Sequence, residues 1–210
     1  MSVYDLIKEY GIEKYQVIDE EALEAITLGS SILATGGGGD PQIGLLWTKK
    51  VLKDGYEMVM VDPMDMPDDI IACHAGCLGS PLVLTEKPLS DEVLIESFEA
   101  LQRYMGKRVG ATIPIECGGI NSVLSYGVAA KYGVPIVDAD GMNRAFPEVQ
   151  MTSWHTHGLR ATPAAVCDNN GTVVVVDTKD DNYLAESICR RTAMTYGGIS
   201  WTSLYPISMG

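Results

Sequence analysis

With 210 residues, 46% of them hydrophobic and 20% charged, the chain holds enough apolar material to bury a sizeable core in one large or two small domains. A formal net charge of −13 argues against nucleic acid or an anionic membrane surface as the main partner, because both require a basic footprint. No apolar run approaches the ~20 residues of a membrane span, and the acidic, mixed N-terminus has no signal-peptide core, so a cytoplasmic location is expected. Five cysteines (Cys73, Cys77, Cys117, Cys167, Cys189) are an odd and scattered set, which favours reduced, buried thiols over a disulfide framework.

In chain order, residues 4–15 suit a short helix. A stronger one runs from Asp19 to Ile32, with Asp19 as N-cap and Glu20 and Glu21 in the first turn. The run Gly36-Gly37-Gly38-Gly39 cannot lie inside an element at acceptable entropic cost. Asp40 then reads as an N-cap and Pro41 as the first residue of a helix to about Leu52. Strands are expected at Tyr56 to Val61 and Ile70 to Leu78, a helix from Ser90 to about Tyr104, and a strand from Val109 to Ile115. Glu116, Gly118-Gly119 and Asn121 follow, then a small-residue helix to Tyr132 closed by Gly133, and a strand from Val134 to Val137. This strand–helix–strand–helix–strand order favours a parallel sheet. Further on, Ala164 to Val166 and Thr172 to Asp177 form a hairpin around Asp168-Asn169-Asn170-Gly171, and Asp180 or Asp181 opens a helix ended by Gly197-Gly198. The stretch after Ile199 has no helical period. The fold class expected is therefore α/β: a parallel or mixed sheet with flanking helices over residues 1–150, carrying the Gly-rich loop, then a smaller α+β region over 151–210.

Several stretches can carry chemistry. The four glycines offer a row of backbone N–H groups suited to an anion or to close backbone approach, although a flexible turn would use glycine too. They lack the Lys-Ser/Thr of a P-loop. Where the Val134–Val137 strand ends, Asp138 and Asp140 lie two apart, on one face of an extended segment, with Gly141, Arg144 and Glu148 following. Such charges beyond an apolar strand suit a crevice at the carboxyl edge of a sheet; the alternative is a turn capped by Asp side chains. Glu116 with Gly118, Gly119 and Asn121 repeats this logic. Glu86, beside Lys87, is either a site residue or a solvated loop charge. Cys73, His74 and Cys77 carry zinc-type donors at unsuitable spacing, and buried free cysteines are the plainer reading; on a strand Cys73 and Cys77 share one face and His74 the other. His155 and His157 would share a face if extended, as metal ligands or a base, or lie exposed in a loop. A divalent metal such as zinc is thus a candidate cofactor.

Four motifs occur in the order found in one known family: Thr35-Gly36-Gly37-Gly38-Gly39-Asp40-Pro41, Glu86-Lys87-Pro88, Glu116-x-Gly118-Gly119-x-Asn121-Ser122, and Asp138-Ala139-Asp140-Gly141-Met142-x-Arg144-Ala145-Phe146-Pro147-Glu148. Nearly the whole chain resembles the N-terminal part of the S-methyl-thiohydantoin desulfurase family, which is associated with hydantoin utilisation. The family's members are typically longer, with a C-terminal domain, so the resemblance implies a fragment or a shortened member. It also implies enzymes acting on cyclic, hydantoin-like amides or their sulfur analogues. Asn143 stands where the family has glycine, and the Cys73/His74/Cys77 and His155/His157 groups have no counterpart in its pattern.

On that basis Asp138, Asp140 and Glu116 are the candidate catalytic carboxylates. Gly36, Gly37, Gly38, Gly39, Asp40, Glu86, Asn121, Arg144 and Glu148 are candidate substrate contacts, with Arg144 gripping a substrate carboxylate. The expected function is hydrolysis or desulfurisation of a small cyclic amide, or else ligand binding by a non-catalytic subunit whose remaining site residues lie elsewhere. A homo-oligomer is expected from the apolar stretch Trp201 to Met209.

Overall fold

A computed structural model describes residues 2–86 and 91–210. The expected helix-opening Ser90, together with Lys87 and Pro88, lies outside the described residues.

Caps set most helix starts where the sequence puts them, while the first helix, expected over residues 4–15, ends at Glu9. α1 spans Val3–Glu9, with Ser2 and Asp5 in a reciprocal capping box. α2 spans Glu20–Leu33, and Asp19 accepts from the Ala22 N–H at 2.8 Å. α3 spans Pro41–Lys53, and Asp40 accepts from the Gln42 N–H at 2.9 Å. α4 is Asp91–Met105. α5 is Ile120–Tyr132 and stops where Gly133 turns left-handed at φ 71°. α6 is a single turn, Ser153–Thr156, and α7 runs Asn182–Thr195 behind the N-cap Asp181.

The strands are β1 (Gln16–Val17), β2 (Val59–Val61), β3 (Ile71–Gly79), β4 (Ala111–Thr112), β5 (Ile136–Val137), β6 (Ala164–Cys167), β7 (Val173–Val176) and β8 (Ile199–Ser208). They form one mixed sheet in the order β1-β2-β5-β4-β3-β8-β6-β7. Its β2-β5-β4-β3 portion is parallel, while β8 runs antiparallel to both β3 and β6. The expected α/β fold class holds. The segments 1–150 and 151–210, expected as separate regions, share this single sheet because β8 pairs directly with β3 over eight residue pairs.

Alternation along the strands divides two cores. Cys73 and Ala75 of β3, Cys167 of β6 and Trp201 of β8 face α2–α5. Ala72, Leu78, Val166 and Leu204 face α6, α7 and part of α1. Cys73 and Cys77 do share a face opposite His74, as the alternation predicts.

Trp201, Leu204 and Tyr205 of β8 are at most 2% exposed, so most of the apolar stretch from which an oligomer was expected is taken up inside the protein. Among the described residues no helix is long and apolar enough to cross a membrane.

Candidate functional site

β3 outruns its parallel neighbour. β4 pairs with it only at Ala72 and Cys73, leaving the last residues of β3 with an open edge on that side. The chain covers this edge with side chains. Ile115 N–H donates to His74 Nδ1 at 3.2 Å. Asn121, at the start of α5, pairs its carboxamide with both backbone groups of Cys77: Oδ1 accepts from N–H at 2.8 Å, and Nδ2 donates to C=O at 3.1 Å. Nδ2 also donates to Glu116 Oε1 at 2.8 Å. One amide thus extends the sheet and positions a carboxylate.

A cavity of about 470 Å³ opens at this edge. Its walls are the glycine run 36–39, His74 and Cys77 to Gly79 of β3, Ile115 and Glu116, Asn121, the segment 145–149, Arg190 of α7, and Thr202 and Leu204 of β8. It lies alongside the last residues of β3 and beyond the carboxyl end of β4, the kind of place where ligands of open α/β sheets bind.

The glycine run reaches this wall by close backbone approach. Gly38 accepts from Ile120 N–H at 2.8 Å. A Cβ on Gly38 would stand 2.8 Å from the Ala145 methyl and 3.0 Å from the Gly118 carbonyl oxygen. A Cβ on Gly118 would meet the Leu33 carbonyl oxygen at 2.4 Å and the Ala145 nitrogen at 2.5 Å. Only glycines let these three backbones converge.

Glu116 is the charged centre of the cavity. It is 4% exposed. Burial is the main cause of a pKa raised to about 7. Hydrogen bonds from Asn121 and from Phe146 N–H oppose that rise, and Asp140 adds to it. The neighbouring Cys77 is pushed up to about 12 by burial and then by Glu116, so it is a neutral thiol. Burial also lowers His74 to about 3, and its Nδ1 is already an acceptor, so the ring is neutral with its proton on Nε2.

Opposite, Glu186 and Arg190 fasten the wall segment. Glu186 Oε2 accepts from Val149 N–H at 2.9 Å, while Arg190 donates to Glu186 Oε1 and to the Pro147 carbonyl, both at 2.7 Å. Arg190 lines the cavity. Neither it nor Thr202 was identifiable from sequence: Glu186 and Arg190 at i,i+4 read as an ordinary surface pair, and nothing local shows that α7 crosses the site.

The candidate residues divide plainly. Gly36, Gly37, Gly38, Gly39, Glu116, Asn121 and Glu148 line the cavity. Asp138, Asp140, Arg144, Asp40 and Glu86 are not among its lining. Asp138 is exposed. Asp140 is a loop fastener, its carboxylate accepting from Cys117 N–H at 2.6 Å and from Asn143 N–H at 2.9 Å, where Asn143 adopts φ 64°. Arg144 donates to the adjacent Ala145 carbonyl. Asp40 caps α3, and Glu86 is an exposed residue closing a 3₁₀ turn at Pro81–Thr85.

Of the metal candidates, Cys73 points into the core beside α5, while His74 and Cys77 line the cavity. His155 and His157 lie on and just after the turn of α6 rather than on an extended segment, so their rings diverge: His155 meets Asn182 and Tyr183, and His157 meets the Ser153 carbonyl. Among the described residues no group of three or more His, Cys, Asp or Glu is arranged to hold a metal ion.

No match is found among curated proteins. A crystal structure of a protein from Chromobacterium violaceum superposes with a TM-score of 0.76 at 22% identity, covering 92% of this chain. That likeness bears on the fold, and the chain spans 55% of that protein's length. Residues 21–178, which include the glycine run, Glu116, Asn121 and the 138–148 loop, match the family described as S-Me-THD-like, N-terminal domain. The chain belongs to the S-Me-THD-like N-terminal domain family.

Proposed function

We propose that the cavity binds a five-membered cyclic amide of the hydantoin or thiohydantoin type and that Glu116 drives its hydrolysis. The single observation that carries this is a buried carboxylate, held by Asn121 and the Phe146 amide, with a pKa of about 7 at the wall of the cavity. Such a group exchanges protons readily near neutrality, which a general acid–base catalyst needs. Water gives a proton to Glu116 as its oxygen adds to the ring carbon between the heteroatoms. The tetrahedral intermediate then expels either the ring nitrogen, which opens the ring, or a sulfur substituent, which leaves as a thiol. Glu116 returns the proton to the leaving atom, so the carboxylate is regenerated. The glycine run lines the cavity, and its amides are the donors this reading assigns to charge developing on the exocyclic atom.

The test is turnover of hydantoin, 2-thiohydantoin and S-methyl-2-thiohydantoin, followed by mass spectrometry and by loss of thiocarbonyl absorbance. Glu116→Gln is expected to lower turnover by roughly 100-fold or more, with Asp138→Ala near wild type. Equal losses in the two variants would refute the assignment. Ring binding without turnover by the 210-residue chain would favour the second reading, a ligand-binding part of a longer enzyme. The 55% coverage of the Chromobacterium structure supports that reading.

A further inference from the structure

The cavity lining carries two polar residues that the hydrolytic reading does not use. Thr202 lines the cavity and is 1% exposed, and its buried hydroxyl has no hydrogen-bond partner. A buried hydroxyl without a partner is costly and calls for a reason. On the adjacent strand, Gly76 is the direct cross-strand partner of Thr202, and directly paired residues face the same side. A Cβ at Gly76 would stand 2.7 Å from His74 Nε2, so the missing side chain leaves room for the imidazole edge on that face. His74 is also 1% exposed and lines the cavity. Its Nδ1 is occupied by the Ile115 N–H, which leaves Nε2–H as its donor. Two uncharged hydrogen-bonding side chains, on paired strands and one face of the sheet, therefore line the cavity, with the Asn121 carboxamide oxygen beside the Gly76 position.

We infer that His74 Nε2–H and Thr202 Oγ1 form the recognition pair for an uncharged cis-amide or thioamide edge of the ring. Nε2–H donates to the exocyclic oxygen or sulfur, and Oγ1 accepts from the neighbouring ring N–H. A five-membered lactam or hydantoin fixes these two groups on one edge, whereas an open-chain trans amide points them apart. The ring edge is thereby held against β3 and β8. Neither residue acts as a base: the imidazole stays neutral down to about pH 3. The inference rests on the cyclic-amide reading for the identity of the ligand, but concerns binding alone.

The experiment measures binding of hydantoin, 2-pyrrolidinone and N-methyl-2-pyrrolidinone by ligand-observed NMR, and thermal melting of the same samples. Wild type is expected to bind hydantoin and 2-pyrrolidinone and to discriminate against the N-methyl compound, which lacks the N–H. Thr202→Val, close in shape, is expected to weaken the first two roughly fivefold to tenfold, while melting at or above the wild-type temperature because it removes an unpartnered hydroxyl. Thr202→Ser, which keeps the hydroxyl, is expected to restore binding. Unchanged affinity in Thr202→Val, absence of lactam binding to wild type, or equal affinity for the N-methyl compound would each overturn the inference. Binding with these properties but no turnover would sink the hydrolytic reading and leave the pair standing.

Discussion

Replacing Glu116 by Gln gives a prediction that can be worked from burial alone. In the unfolded chain this carboxyl titrates near its ordinary value of 4.5, and in the folded protein near 7. The folded state therefore binds more protons than the unfolded state between those two values. Below pH 4.5 both forms are protonated and the site costs nothing electrostatically. As pH rises to 7 and beyond, the folded state must hold a buried carboxylate, at about 1.4 kcal/mol per pH unit of displacement, or about 3 kcal/mol in all. Gln does not titrate and escapes this cost. It also presents an amide nitrogen to one of the two donors, Asn121 Nδ2 or Phe146 N–H, but that loss is the same at every pH. Urea denaturation of both proteins from pH 4 to 8.5 should show the stability difference moving in favour of Gln by about 3 kcal/mol, mostly between pH 4.5 and 7. A difference that stays flat with pH, or moves in favour of Glu, would refute the account of how Glu116 is held.

The other predictions are briefer. Asn121→Ala should cost about 2–4 kcal/mol by urea denaturation, since it strips partners from both Cys77 backbone groups and from Glu116. Because that hydrogen bond lowers the Glu116 pKa, the acid limb of any kcat/KM profile should shift upward. Within the glycine-rich segments, Gly118→Ala should destabilise by about 3 kcal/mol or more through backbone collision. Gly36→Ala, which faces open space at φ 85°, should cost only about 1–2 kcal/mol; comparable melting shifts for the two would contradict the packing described. All five cysteines are free, and burial raises each thiol well above its ordinary pKa. Ellman's reagent at pH 8 should therefore label them slowly in the native protein and completely after denaturation, and rapid native labelling would be the contrary result.

Where local chemistry fixes an outcome, the sequence was readable. Asp19, Asp40 and Asp181 announce helix starts because a short carboxylate finds its acceptor role within three residues. Gly133 announces a stop for an equally local reason. β8 was not readable. A proline inside Trp201–Ser208 argues against a central strand, yet Pro206 lies where the register against β3 shifts between Ala72 and His74, next to Tyr205 at φ 52°. At such a bulge the missing N–H interrupts nothing. The site shows the same division. Glu116 and Asn121 are five residues apart and could be read as one unit. Asp138 and Asp140 look similar on paper, but whether a carboxylate faces a cavity or staples a loop depends on where remote backbone lies, here the amide of residue 117. Arg190 and Thr202 come from the other side of the sheet topology, beyond the reach of spacing arguments.

The placement of β8 has a consequence for biogenesis. The strand that joins the β2-β5-β4-β3 half to the β6-β7 hairpin is synthesised after the strands it joins. Until Ile199–Ser208 emerges, the inner edges of both halves have no partner, and Thr202 is absent from the cavity. Completion of the ligand site and closure of the sheet are then a single late, long-range event, the slowest kind of contact for a chain to find. A nascent chain paused before Ile199 would present two sticky strand edges to chaperones or to its neighbours on the polysome.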